Sequence, residues 1–234
     1  MKPAGKNAEA RAGTPGAAWS RRHIPRQSLR DAAYEAIKHR IITCKFKPGE
    51  CINEAGVSAL LGYGRTPVHQ ALDRLMLEEM VDVIPRKGVI VKPVVLHDVL
   101  QLIDVRMINE TQCARLAAVR AENVHIDGLA DIIKRARQAI ADRSVHSMMT
   151  LGREFHLLMA RATKNAELAE VLRKLHERSL RFWFISFTTP DHHNSFQEQH
   201  EAIFEAIRTH EADQAERAMR AHIETFRRSV TRQL

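Results

Sequence analysis

Three histidines lie on the inner faces of three segments with helical periodicity. They are His156 in "LGREFHLLMA", His200 in "FQEQHEAIFEAI" and His222 in "RAMRAHIETF". Around the last two, apolar residues recur at spacings of three and four, so each of these histidines lies on the face of its helix that packs into the bundle interior. Neutral imidazoles that converge inside a bundle are natural ligands for zinc, nickel or a similar cation. The alternative is three hydrogen-bonded core histidines, and the spacing alone does not decide between them.

A second set of polar residues opens a helix in "GYGRTPVHQALDRL". Pro67 suits the first helical turn, where its missing N–H is not needed. The free N–H groups there attract phosphate. Arg65 could donate two hydrogen bonds to guanine, Thr66 could bind phosphate or a base edge, and Gln70 could pair with adenine, with His69 beside it. The alternative is an ordinary surface helix whose polar end is merely capped.

The elements that carry this stretch predict a winged helix-turn-helix domain over residues 28–93. Ser28 caps a first helix, and a β-hairpin follows the third, with Arg86, Lys87 and Gly88 at its tip, where they could reach the DNA backbone or minor groove. The predicted helices span about 29–43, 54–61 and 65–79, and the hairpin spans 81–93.

The three histidines belong to a second region, residues 96–234, in which nearly every segment has a helical pattern. Six helices of this length can close a bundle around one core, so the fold class is mainly α. The predicted helices span about 96–121, 126–142, 145–163, 165–187, 194–209 and 211–231.

Composition favours a nucleic-acid partner. Lys and Arg number 36 against 28 Asp and Glu, for a net charge of +8. Residues 1–27 are basic and rich in Gly, Ala and Pro, which predicts a flexible arm that either touches phosphates or is inert. Three cysteines without a CxxC pair indicate neither a disulfide framework nor a thiolate site. The absence of a membrane span or signal peptide predicts a cytoplasmic protein without a membrane partner.

The stretch "FKPGECINEAGVSALLGYGRTPVHQALDRLMLEEMVDVIPRKGVIV" resembles the DNA-binding domain of GntR-family bacterial transcription regulators. Two departures stand out. Gly64 replaces the usual Ser, and His69 and Gln70 replace the usual Arg and Glu. The loss of an arginine at residue 69 removes a phosphate or base contact, so the operator is expected to differ from the family's common one.

The helical region resembles the FCD ligand-binding domain of the FadR-like subfamily, in its six-helix VanR-like form. Many such domains bind a divalent metal through Asp-x-x-x-His and two later histidines. The resemblance implies His156, His200 and His222 as ligands of zinc or nickel, but Gly152 stands at the aspartate position. A metal-free pocket lined by the same histidines is the alternative. The resemblance also implies that Arg106 holds an anionic effector, whereas helical spacing alone predicts its ion pair with Glu110.

The function predicted from these features is a ligand-responsive regulator, in its usual mode a repressor and not an enzyme. A homodimer would bind a palindromic operator, and a small organic or sugar acid in the bundle would change that binding. One alternative is a metal-dependent enzyme, disfavoured because no HExxH pattern is present and Glu154 points to another helical face than His156. Another is an architectural DNA-binding protein without an effector, disfavoured because inward polar residues are costly unless they serve a purpose.

Overall fold

The computed structural model describes residues 28–84, 88–186 and 191–233, with the side chains of 184–194 and 233 left aside. The predicted arm of residues 1–27 and two of the wing residues, Arg86 and Lys87, therefore lie outside the described part of the chain. Within it, the predicted mainly α fold is confirmed: a small winged-helix unit is followed by a helical bundle.

The winged-helix unit contains three helices and a three-stranded antiparallel sheet. Its elements are α1 (Leu29–Ile42), β1 (Cys51–Ile52), α2 (Glu54–Leu61), α3 (Arg65–Leu77), β2 (Val81–Ile84) and β3 (Gly88–Val91). The strand order is β1-β3-β2, so the predicted hairpin forms and β3 is central. The pairing of β1 with β3 was not predicted, because a strand of two residues has no periodicity to read.

Local caps fix the helix boundaries of this unit. Ser28 accepts a hydrogen bond from the Asp31 N–H at 3.1 Å, as the sequence predicts for the start of α1. Asn53 accepts one from the Gly56 N–H at 2.7 Å and begins α2. Gly62 ends α2 in the left-handed region, at φ 72°, where glycine is favoured. These caps set the angle at which α3 leaves α2.

The described residues of the bundle form six helices, each within a few residues of its prediction: α4 (Leu96–Arg120), α5 (Asn123–Ala141), α6 (Val145–Ala162), α7 (Ala166–Ser186), α8 (Asp191–Arg208) and α9 (Ala212–Gln233). Helix α4 packs mainly against α9, and α5 packs against α6 and α8. No helix of the described residues is both long and apolar enough to span a membrane.

Helix α7 joins the bundle to the winged-helix unit through a buried ion-pair network. The Lys38 Nζ atom on α1 lies 2.6 Å from Glu177 on α7 and 2.7 Å from Glu78, just after α3. Tyr34 donates to Glu78, and Arg173 donates to Glu177 at 2.6 Å. Burial alone would lower the pKa of Lys38, but the two carboxylates hold that pKa above its usual value. Sequence analysis did not predict this junction.

Candidate functional site

The N-terminal end of α3 is exposed and lacks a side-chain cap. Gly64 occupies the N-cap position and has no side chain that could accept from the first turn. Arg65, Thr66 and Gln70 are all exposed around it. A serine, which is usual at position 64 in the family that this stretch resembles, would be a good N-cap of α3. Its replacement leaves the N–H groups of the first turn to solvent or to an anion.

His69 is also exposed, but it already has acidic partners within the chain. Its Nδ1 atom lies 2.7 Å from Glu54 on α2, and its Nε2 atom lies 3.5 Å from Asp73. The Glu54 carboxylate, helped by Asp73, raises the pKa of His69. Protonation at this position therefore adds positive charge beside the tip of α3.

Gly88 has a structural role that the sequence analysis did not assign to it. It adopts φ 104°, and a Cβ atom there would lie 3.0 Å from the carbonyl oxygen of Ile52 on β1. The residue therefore permits the close approach of β1 and β3. Its part in DNA binding stays a prediction.

The structure brings the three predicted histidines together between α6, α8 and α9. His156 and His222 are buried, and His200 is partly exposed. The Nε2 atoms of His156 and His200 are 3.2 Å apart, and the ring centroids of His200 and His222 are 4.7 Å apart. One ligand atom from each histidine lies within 4.8 Å of the others, so one cation could contact all three. We call these three residues the histidine cluster.

Partners of the cluster orient its rings. The Nδ1 atom of His156 lies 2.9 Å from a Glu110 carboxylate oxygen, and that of His222 lies 3.0 Å from the Gln199 side-chain oxygen. Acceptance by the Gln199 oxygen places the imidazole proton of His222 on Nδ1 and leaves its Nε2 lone pair for the cluster. Burial lowers the pKa values of His200 and His222 well below the usual range. Neutral imidazoles are the form that binds metals.

Glu110 on α4 is the centre of a second buried group. It accepts from the Nε of Arg106 at 2.5 Å, and its other oxygen lies 3.0 Å from His176 on α7. The angles to His156 and His176 depart from good hydrogen-bond geometry, so these are close polar contacts and not well-formed bonds. Burial would raise the pKa of Glu110, but the Arg106 charge, with both histidines, holds it well below the usual range. Burial lowers the pKa of His176 to about 3.

The residues present fit a divalent cation, although the carboxylate ligand is missing at residue 152. A Cβ atom at Gly152 would lie 3.6 Å from the Cε1 atom of His200, at ordinary contact distance. A side chain there would therefore begin beside the cluster without a clash. Three oriented imidazoles would hold the cation, and they leave a coordination position for water or for an effector carboxylate.

All six bundle helices line one cleft that contains the histidine cluster. The cavity volume is about 70 Å³, within a cleft whose empty space, open solvent included, is about 730 Å³. Arg106 also lines it and forms the ion pair with Glu110 that its spacing predicts. Its role in holding an anionic effector stays a prediction. Its Nη1 atom is buried and has no hydrogen-bond partner among the described residues. An unpaired buried cationic donor favours an anion in the cleft.

The sequence did not predict Glu110 as a partner of His156. It also did not predict the contact of His176 with Glu110 or that of Gln199 with His222. A signal for His176 exists: Leu172, His176 and Leu180 recur every four residues, which places the histidine on the apolar stripe of α7. For Gln199 we find no such signal, because it is a polar residue among polar neighbours. Its role depends on α9, which comes later in the chain.

Two family models match the chain. Residues 29–91 match the model described as bacterial regulatory proteins of the gntR family. Residues 101–225 match the FCD domain. The two matched ranges correspond to the winged-helix unit and to the bundle with its cleft.

Relatives with a named role are transcription regulators. The Nta operon transcriptional regulator of Aminobacter aminovorans is 31% identical over 137 residues, which cover 58% of this chain and 65% of that protein. The repressor RspR of Escherichia coli K12 is 24% identical over 206 residues, 88% of this chain and 90% of that protein. Among solved structures, E. coli McbR/YncC superposes with a TM-score of 0.80 at 19% identity, over 88% of this chain and 98% of that one. That likeness supports the fold.

Proposed function

The chain belongs to the gntR family of bacterial regulatory proteins and carries an FCD domain, and from this premise we propose that it is a metal-assisted, acid-responsive repressor. It is a DNA-binding transcription regulator with an effector-binding domain. The finer assignments are ours: repression in the cytoplasm, a small carboxylate effector, and zinc or nickel held by the histidine cluster. We propose no catalytic activity.

The observation that carries the effector proposal is the unpaired guanidinium nitrogen of Arg106 in the cleft that also contains the histidine cluster. A buried cationic donor without a partner is costly. A carboxylate bound there would satisfy Arg106 and complete the coordination of a cation held by His156, His200 and His222. When bound, the metal would supply a second positive charge for the same carboxylate.

The DNA-binding proposal rests on the exposed tip of α3. We assign Arg65 to bidentate recognition of a guanine, Thr66 and the first-turn N–H groups to phosphate, and Gln70 to a base edge. Arg86 and Lys87 of the wing are assigned to the backbone or minor groove from sequence alone. His69 replaces an arginine and adds a charge that depends on pH.

Helix α7 of the bundle contacts the winged-helix unit and also lines the cleft. His176 lines the cleft, and the next residue, Glu177, is held by Lys38 of the winged-helix unit. A ligand that moves α7 would therefore alter the placement of α3. Such regulation requires that the effector binds the two placements with different affinities.

A homodimer would place two α3 helices on a palindromic operator. The exposed side chains of Val105, Ile108 and Val119 on α4 give the bundle an apolar face that a second copy could cover. We assign dimerisation to the bundle for this reason.

The test combines selection of binding sites with elemental analysis of the purified full chain. We expect random-oligonucleotide selection to return a palindrome, and we expect stoichiometric metal that His200→Ala removes. Glu198→Ala, at an exposed position of α8, is the matched control and should keep the metal. Recovery of no preferred sequence would contradict DNA readout by α3. Stoichiometric metal retained by His200→Ala would show that the cluster is not the metal site.

A further inference from the structure

The two ends of the cleft differ in chemistry. Helices α4 and α9 contribute only Arg106 and His222, which are polar. Helix α5 contributes only apolar side chains, which we call the α5 wall: Ile132, Ile133, Ala136 and Ile140. A ligand that spans the cleft therefore meets charge on one side and hydrocarbon on the other.

Few side chains in the cleft could form hydrogen bonds with hydroxyl groups of a ligand. Among its described lining residues there is no Ser, Thr, Tyr, Asn, Asp or Glu side chain. Gln197 contributes an amide, but its NH₂ group donates to Ile133 O at 3.3 Å and to Glu201 at 2.9 Å. Hydroxyls buried without partners weaken binding, because their bonds to water are lost and not replaced.

Arg153 is the other cation in the lining, and its charge is already compensated. Its Nη2 atom donates to Glu177 at 2.8 Å, and Glu177 also pairs with Lys38 and Arg173. Two guanidinium nitrogens of the lining are buried without a hydrogen-bond partner, the Nη1 atom of Arg106 and the Nε atom of Arg153. We assign the anion to Arg106, because its side chain is 1% exposed and that of Arg153 is 33% exposed. The cleft thus offers one anion position next to an apolar wall.

We propose that the effector is a monocarboxylic acid with an apolar, single-ring-sized body, and not a sugar acid or another polyhydroxylated acid. This inference rests on the proposed function, because it refines the chemistry of the same cleft. The carboxylate binds at Arg106 and the histidine cluster, and the hydrocarbon body packs on the α5 wall. The sequence predicted a small organic or sugar acid as the effector, and this proposal excludes the sugar acids.

The test is a matched pair of acids on the full-length protein. Cyclohexanecarboxylate and quinate share a carboxylated six-membered carbocycle, but quinate carries hydroxyls on the ring. We expect cyclohexanecarboxylate to raise the melting temperature and to bind about a hundredfold more tightly than quinate by calorimetry. Both are measured on metal-loaded and metal-stripped protein.

A substitution in the α5 wall tests whether the apolar body of the acid packs there. Ile140→Thr keeps the β-branch but shortens the side chain and adds a hydroxyl at a partly exposed position of the α5 wall, and we expect about tenfold weaker binding of cyclohexanecarboxylate. Val124→Thr, at an exposed position of α5 outside the cleft, is the control and should bind like wild type.

The outcomes separate the two proposals. Quinate binding as tightly as cyclohexanecarboxylate, or more tightly, overturns the apolar body and leaves the acid-responsive regulator intact. Equal affinities of Ile140→Thr and Val124→Thr also overturn it, because the ring would not lie on the α5 wall. If neither acid, nor benzoate or gluconate added to the panel, binds, the carboxylate effector fails and this inference fails with it.

Discussion

The tip of α3 and the histidine cleft are both built from polar side chains, but only the second is buried. At the tip, His69 has partners on the same or the adjacent helix and its side chain is 59% exposed. Arg106, which lines the cleft, and its partner Glu110 have side chains that are 1% and 0% exposed, and Glu110 also contacts histidines from other helices. Function is therefore separable from stability at the tip, whereas in the cleft one substitution alters both.

The largest expected effect, a loss of stability, comes from breaking the buried ion pair of Arg106 and Glu110. Glu110→Gln leaves the Arg106 charge uncompensated, so the free energy of unfolding should fall by about 3–5 kcal/mol. Urea denaturation measures this loss. Glu54→Gln removes the exposed partner of His69 and should change stability little, because exposed ion pairs contribute little. Similar losses in the two variants would contradict the contrast between tip and cleft.

The second effect is confined to DNA binding. Arg65→Ala should weaken specific operator binding by about 1–3 kcal/mol and relax preference at one base pair, without changing the melting temperature. Binding titrations on the selected operator and its single-base variants measure both effects. Arg208→Ala, on the exposed side of the bundle, is the matched control. A uniform loss on all sequences would assign Arg65 to a phosphate and not to a base.

Local signals in the sequence predicted most of the fold and half of the site. Periodicity predicted that His156, His200 and His222 face the interior of the bundle, where the structure brings them together, because helical periodicity is a local property. Their role as metal ligands stays a prediction. The contacts of Glu110 with His156 and of Lys38 with Glu177 were not predictable, since each joins residues far apart in the chain. The double role of Arg106 shows the same limit: spacing predicted its ion pair, and only packing placed it in the cleft.

The third effect restores a ligand to the cleft. Gly152→Asp places a carboxylate next to His200, where a Cβ atom has room, and should tighten metal binding by about tenfold or more. Gly152→Asn has the same shape without the charge and is the control. Competition with a chromophoric chelator gives both affinities. Equal affinities would mean that a carboxylate from residue 152 does not reach the metal.

The smallest effect returns to the tip and depends on pH. The raised pKa of His69 means that its charge is present below that pKa and is lost as the pH rises through it. Protonation reduces the negative charge that Glu54 and Asp73 present beside α3, so operator affinity should rise a few-fold between about pH 8 and about pH 6. His69→Gln should remove that part of the dependence, and His97→Gln, exposed on α4, should retain it. If His69→Gln keeps the full dependence, other groups carry it, and the charge of His69 does not contribute to operator binding.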